Sequence, residues 1–154
     1  ASSQGARTGL RYDPDLGLDA RLSCTSSGHA WLCTLSESDA LALVSREGYG
    51  APSRYGPNAP ATPSQLLRAL RLARQRGCAV TESTYVPGLS AIAVPIVPRG
   101  KGTAGVLAIS GPSVRLTADK LHALVPELQA AAADIANASG TSPLFDRAFA
   151  TVPA

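Results

Sequence analysis

The sequence predicts an α+β fold, an antiparallel sheet flanked by helices. Three features point there. Amphipathic stretches are bounded by recognisable helix caps and stops. Two near-continuous apolar runs, "SAIAVPIV" (90–97) and "TAGVLAIS" (103–110), are joined only by "PRGKG", as in a hairpin covered by helices. No repeat or second compositional regime interrupts the 154 residues, a length that suits one domain.

The opening "ASSQGARTG" (1–9) reads as a linker or remnant: it lacks the apolar core of a signal peptide, and with no methionine anywhere residue 1 is no natural start. The chain is therefore expected to be a piece of something longer. Short strands are expected at "LRY" (10–12) and "ARLS" (20–23), after which "CTSSGHAWL" (24–32) passes from extended chain into a helix. Ser36 can cap "ESDALALVSRE", with Asp39 in the first turn and Gly48 as terminator. The glycine- and proline-rich "GYGAPSRYGPNAPA" (48–61) reads as a surface connection. Thr62-Pro63-Ser64-Gln65 supplies a cap, a proline at the first helical position and a glutamine that reaches back; Gly77 stops the helix, whose buried face is Leu66, Ala69, Leu70 and Ala73. "CAVT" (78–81) is a third short strand before the hairpin. Thr117 opens a long helical segment that Pro126 should kink or divide, ending before Gly140 and a tail of residues 140–154.

Composition narrows the function. Fourteen basic against eleven acidic residues give a net charge of +3, too mild to imply nucleic-acid binding. No apolar run approaches a membrane span. Cys24, Cys33 and Cys78 form an odd set without Cys-x-x-Cys spacing, which points to core thiols in a reducing, cytoplasmic setting. Cys24, His29 and Cys33 match no zinc spacing, so no metal or other cofactor is expected. Of the arginines on the third helix, Arg74 and Arg76 complement its C-terminus, while Arg68 and Arg71 take the solvent side.

The pair Ser27 and His29 invites a nucleophile reading, but "SSGH" lacks the Gly-x-Ser-x-Gly elbow. Two positions apart on a helix, the side chains diverge by about 160°, so His29 cannot take the Ser27 proton. His122 lies beside the stripe Leu121, Leu124, Val125 and Leu128, at the surface. No catalytic residue is assigned. The alternative is a cradle: unpaired N–H groups of the turn after Thr25 or Ser26 suit a carboxylate, unless Ser26 merely caps the helix.

In order, "RLSCTSSGHAWL", "RGCAVTESTYVPGLSAIAVPI" and "GVLAISGPSVRLT" followed by a terminal helix resemble the effector-binding domain of IclR-type bacterial transcriptional regulators. The likeness spans residues 10–139. It implies a GAF-like, profilin-like sensory domain that binds a small organic acid, aromatic acids among them, assembles as dimers or tetramers, and modulates DNA binding by a helix-turn-helix domain absent here. It also implies an N-terminal truncation, since a helix and a β-hairpin normally precede the equivalent of "GLRYDPDLG". Carried over by motif, the ligand-binding positions are Ser26, Ser27 and Gly28, then Thr81 and Glu82, then Ala91, where relatives often have cysteine. Ala108 and Ser110 complete the set, Ala108 standing where relatives have the first serine of "SxSGP". Two methyls in place of a thiol and a hydroxyl favour a ligand with apolar surface over a glyoxylate-sized one. The rival readings are a serine hydrolase built on Ser27 and an oligomerisation module without ligand.

Overall fold

A computed structural model of the chain describes residues 21–50 and 54–139. The expected strand at "LRY" and the tail fall outside them. In chain order the elements are α1 (Ser26–Leu32), α2 (Glu37–Glu47), α3 (Pro63–Arg76), β1 (Ala79–Glu82), β2 (Leu89–Ile96), β3 (Gly105–Pro112), α4 (Ala118–Ala123) and α5 (Val125–Ser139). The strands form one antiparallel sheet in the order β1-β2-β3.

Most helix boundaries lie where local chemistry places them. Ser36 caps α2 by accepting the Asp39 N–H, and Thr62 caps α3 by accepting that of Gln65. Gln65 reaches back to the Ala61 N–H at 2.8 Å. Gly77 ends α3 with φ of 66°, a left-handed conformation that glycine adopts without strain. Pro126 divides the last segment, α4 ending at a cap on Leu124 before α5 begins.

Two sequence expectations are corrected. "ARLS" is no strand within the described residues: Arg21 C=O accepts the N–H of both Cys24 and Thr25, folding residues 21–25 into a turn. The hairpin forms, but only β2 is covered on both faces; β3 is half-buried apart from the buried Gly111, with Ala108 and Ser110 exposed. It is the last strand of the sheet among the described residues.

Alternation along β2 builds a layer on each face. Ile92, Val94 and Ile96 point to one side, where they join Leu121 of α4 and Leu128 and Ala132 of α5. Ala93 points to the other, with Ala79 of β1, and these meet Ala30 of α1 and Ala73 of α3. An alanine face lets a helix approach closely, whereas the branched face needs the deeper α4–α5 layer. A third cluster, Leu32, Ala40, Val44, Leu66 and Leu70, binds α1, α2 and α3 together beyond the alanine layer.

Candidate functional site

The alanine face carries the expected ligand-binding strand positions. In the ladder Thr81 lies opposite Ala91 and Ala91 opposite Ser110, a cross-strand row; in the neighbouring row Ala79, Ala93 and Ala108 align. Side chains two residues apart share a face, so Thr81, Ala91, Ala108 and Ser110 all lie on the side that α1 covers. Thr81 and Ala91 are buried, while Ser110 and Ala108 are open to solvent. Glu82 is exposed, on the opposite parity.

The start of α1 decides between the two residues left open by the sequence. Thr25, not Ser26, caps the helix, its hydroxyl accepting the Gly28 N–H at 3.0 Å and donating to Arg21 C=O at 2.9 Å. A Cβ on residue 28 would lie 2.3 Å from Leu22 O. Close packing against that turn therefore accounts for glycine without a ligand. With the Gly28 N–H capped and the His29 N–H bonded to Thr25 C=O, the first-turn donors left over are those of Ser26 and Ser27. Ser26 is buried and Ser27 half-buried.

His29 is 3% exposed, and its Nε2 lies 2.8 Å from Ser23 C=O. Burial pushes the imidazole below its ordinary range, against the opposing effect of that hydrogen bond. It is a neutral, oriented ring tied to the turn before α1. The thiols of Cys24, Cys33 and Cys78 are free and all pushed up, first by burial, which suits inert core groups. Among the described residues no cluster could hold a metal ion.

A cleft of about 540 Å³ opens beside β1. Its walls are Gln65, Arg68, Ala69 and Leu72 of α3, residues 57–60 and β1 itself, with His29 reaching it from α1. Of the expected site residues it takes in Thr81 and Glu82; Ser26, Ser27, Gly28, Ala91, Ala108 and Ser110 do not line it. Arg68 is exposed, as expected for the solvent side of α3, and the cleft it lines was not foreseen from the sequence. The spacing 65, 68, 69, 72 is a second helical stripe flanking the buried one, and that was the available signal. Arg71 instead pairs with Glu37 at 2.8 Å. Arg74 donates to Cys33 C=O and Leu35 C=O, so it fastens the α1–α2 turn as well as suiting its own helix end.

Residues 4–137 match the family described as Bacterial transcriptional regulator IclR C-terminal. The chain is 30% identical over 134 residues to the HTH-type transcriptional repressor AllR of Salmonella typhi, covering 87% of this chain and 48% of that protein. AllR of Escherichia coli K12 is likewise 30% identical, over 131 residues. The chain thus spans about half the length of the curated relatives it matches. Among solved structures, an IclR transcriptional regulator from Alicyclobacillus acidocaldarius superposes with a TM-score of 0.73 at 25% identity, over 87% of this chain and 52% of that one. A double mutant of the PobR inducer-binding domain from Acinetobacter, solved with 3-hydroxybenzoic acid, shares the fold at a TM-score of 0.68 and 21% identity, over 90% of this chain and 73% of that one. These relatives are transcriptional regulators, not enzymes. An antiparallel sheet flanked by helices, matched along nearly its whole described length by regulator domains, belongs to the IclR family, as the C-terminal domain of an IclR-type bacterial transcriptional regulator.

Proposed function

We propose that this domain senses a small organic acid and so modulates DNA binding by a helix-turn-helix domain outside the chain. The observation that carries the reading is the Thr81–Ala91–Ser110 row on the face beneath α1. It presents hydroxyls at both ends and a methyl between them, a surface for a ligand with polar and apolar parts. The carboxylate is assigned to Ser27 and Ser110, and the body to Ala91 and Ala108.

A small acid at this row would leave its own polar atoms unpaired against the two methyls, at about 1–3 kcal/mol each. An aromatic or aliphatic body gains about 25 cal/mol per Å² of apolar area buried. A domain of this fold, in a double mutant of PobR, holds 3-hydroxybenzoic acid, an acid of the bulkier class. Self-association into dimers or tetramers belongs to the same proposal, since regulators of palindromic operators act as symmetric oligomers.

Calorimetry tests the pocket with a matched pair, benzoate and glyoxylate. Benzoate should bind more tightly, and Ser110→Ala and Ser27→Ala should each weaken it by about 1 kcal/mol or more, roughly fivefold in Kd. Tighter glyoxylate binding, or indifference to both substitutions, would overturn this pocket. The hydrolase alternative needs a base for Ser27, and the Nε2 of His29 is committed to Ser23 C=O.

A further inference from the structure

The cleft between α3 and β1 has a chemistry of its own. The Ser83 N–H donates to Leu89 C=O at 2.8 Å, and in an antiparallel ladder such inward bonds alternate. Ser83, Thr81 and Ala79 therefore bond inward to β2, and Val80 and Glu82 turn their N–H and C=O groups outward, to the cleft. Asn58 takes the Glu82 carbonyl with its side-chain amide at 2.9 Å. Together with the main-chain bonds Gly56 N–H to Thr84 C=O and Asn58 N–H to Ser83 C=O, it closes that end of the edge. Too little free edge remains for an added peptide strand, but a small molecule has room: about 540 Å³ falls in the range of roughly 300–1,000 Å³ usual for such sites.

Three unspent polar groups lie around this space. Arg68 is the only cation lining it, and forms no hydrogen bond or ion pair among the described residues. His29 bonds a carbonyl through Nε2, which can only accept, so Nε2 carries the hydrogen and Nδ1 of the neutral ring is an acceptor. The Thr81 hydroxyl likewise has no partner. Neither atom is sealed in, because the one sealed polar side-chain atom without a partner among the described residues is the Tyr49 hydroxyl. His29 and Thr81 are nevertheless only 3% and 6% exposed, and both line the cleft.

We propose that this cleft is a second binding site, for a monocarboxylic acid that carries a hydroxyl or amino group beside its carboxylate and an aliphatic body. The carboxylate pairs with the Arg68 guanidinium, whose planar donors suit it. The neighbouring donor bonds His29 Nδ1, and the body lies along Ala69 and Leu72. The Glu82 carboxylate on the facing wall disfavours a diacid and favours an amino donor. The assignment rests on the cleft itself and not on the sensory reading.

The chain has two histidines, so a His122→Gln variant leaves His29 as the sole imidazole for nitrogen NMR. The probes are leucine, 2-hydroxy-4-methylpentanoate and the donor-free 4-methylpentanoate. Leucine and the hydroxy acid should shift the His29 nitrogens saturably, with the donor-free acid weaker by about tenfold. Arg68→Gln, an exposed change that leaves the fold intact, should weaken both by about tenfold, and Ser110→Ala should leave them unchanged. No saturable His29 shift, equal binding of the donor-free acid, or indifference to Arg68→Gln would each overturn the site. Binding lost in Ser110→Ala but kept in Arg68→Gln would overturn it too, while leaving the sheet-face pocket standing.

Discussion

His29 ties a pH dependence to the start of α1. Its folded pKa is depressed by burial, while the unfolded chain titrates near the ordinary value of 6.5. The unfolded state thus binds more protons below that value, and stability rises with pH there. The contribution is present in full above the unfolded pKa and is lost as pH falls towards the folded one. Thermal melts should therefore show a midpoint that drops between pH 7.5 and 5, with a shallower drop in His29→Gln. An equal pH slope in the two chains would refute this. The residue scale is also where sequence reading was weakest. Thr25 and Ser26 offer equivalent caps on paper, and only the turn at Arg21–Leu22, packed against Gly28, selects Thr25. Arg68 differs from Arg71 only in what lies across from it, β1 in one case and Glu37 in the other.

At the scale of elements, α2, α3 and the break between α4 and α5 were legible because their signals are local: a hydroxyl at the cap, a proline, a glycine. The strands of the described sheet were legible as apolar runs, but the register that sets Thr81, Ala91 and Ser110 in one row was not. The cover on β3 was not, since composition shows that a strand is apolar without showing what lies against it. The cleft was illegible for a related reason, being assembled from residues near 29, 58, 68 and 81 that no window of sequence joins. The contact of α1 with the sheet is the element-level feature most open to test. Ala30, Ala79 and Ala93 meet with 0–2% exposure, so Ala93→Leu has no free volume to enter and should cost about 1–3 kcal/mol by overpacking. Ala108→Leu, one strand over in the same row but exposed, should stay within about 0.5 kcal/mol. Urea denaturation of the two variants checks the contrast, and equal effects would mean that α1 does not rest on this alanine layer.

For the molecule as a whole, the sheet order leaves β3 as the last strand among the described residues. The bond from Ser113 N–H to Gly88 C=O at 2.8 Å sets the alternation, so Val106, Ala108 and Ser110 direct their main-chain groups away from β2. An edge of this kind is a template for pairing. Sedimentation at micromolar concentration should show a dimer or larger species, and Ala108→Pro, which gives up no bond to β2, should shift the population towards monomer. A monomer at every concentration would count against self-association. The alternation along β2 has one more consequence. Ala91 faces the side of α1, and Ile92, next in the chain, is held among the residues of α4 and α5. One peptide plane separates them, and neither can be displaced without carrying the other. A molecule that pushed on the strand from beneath α1 would press on the α4–α5 layer through Ile92, since the two faces of the sheet meet there in consecutive residues.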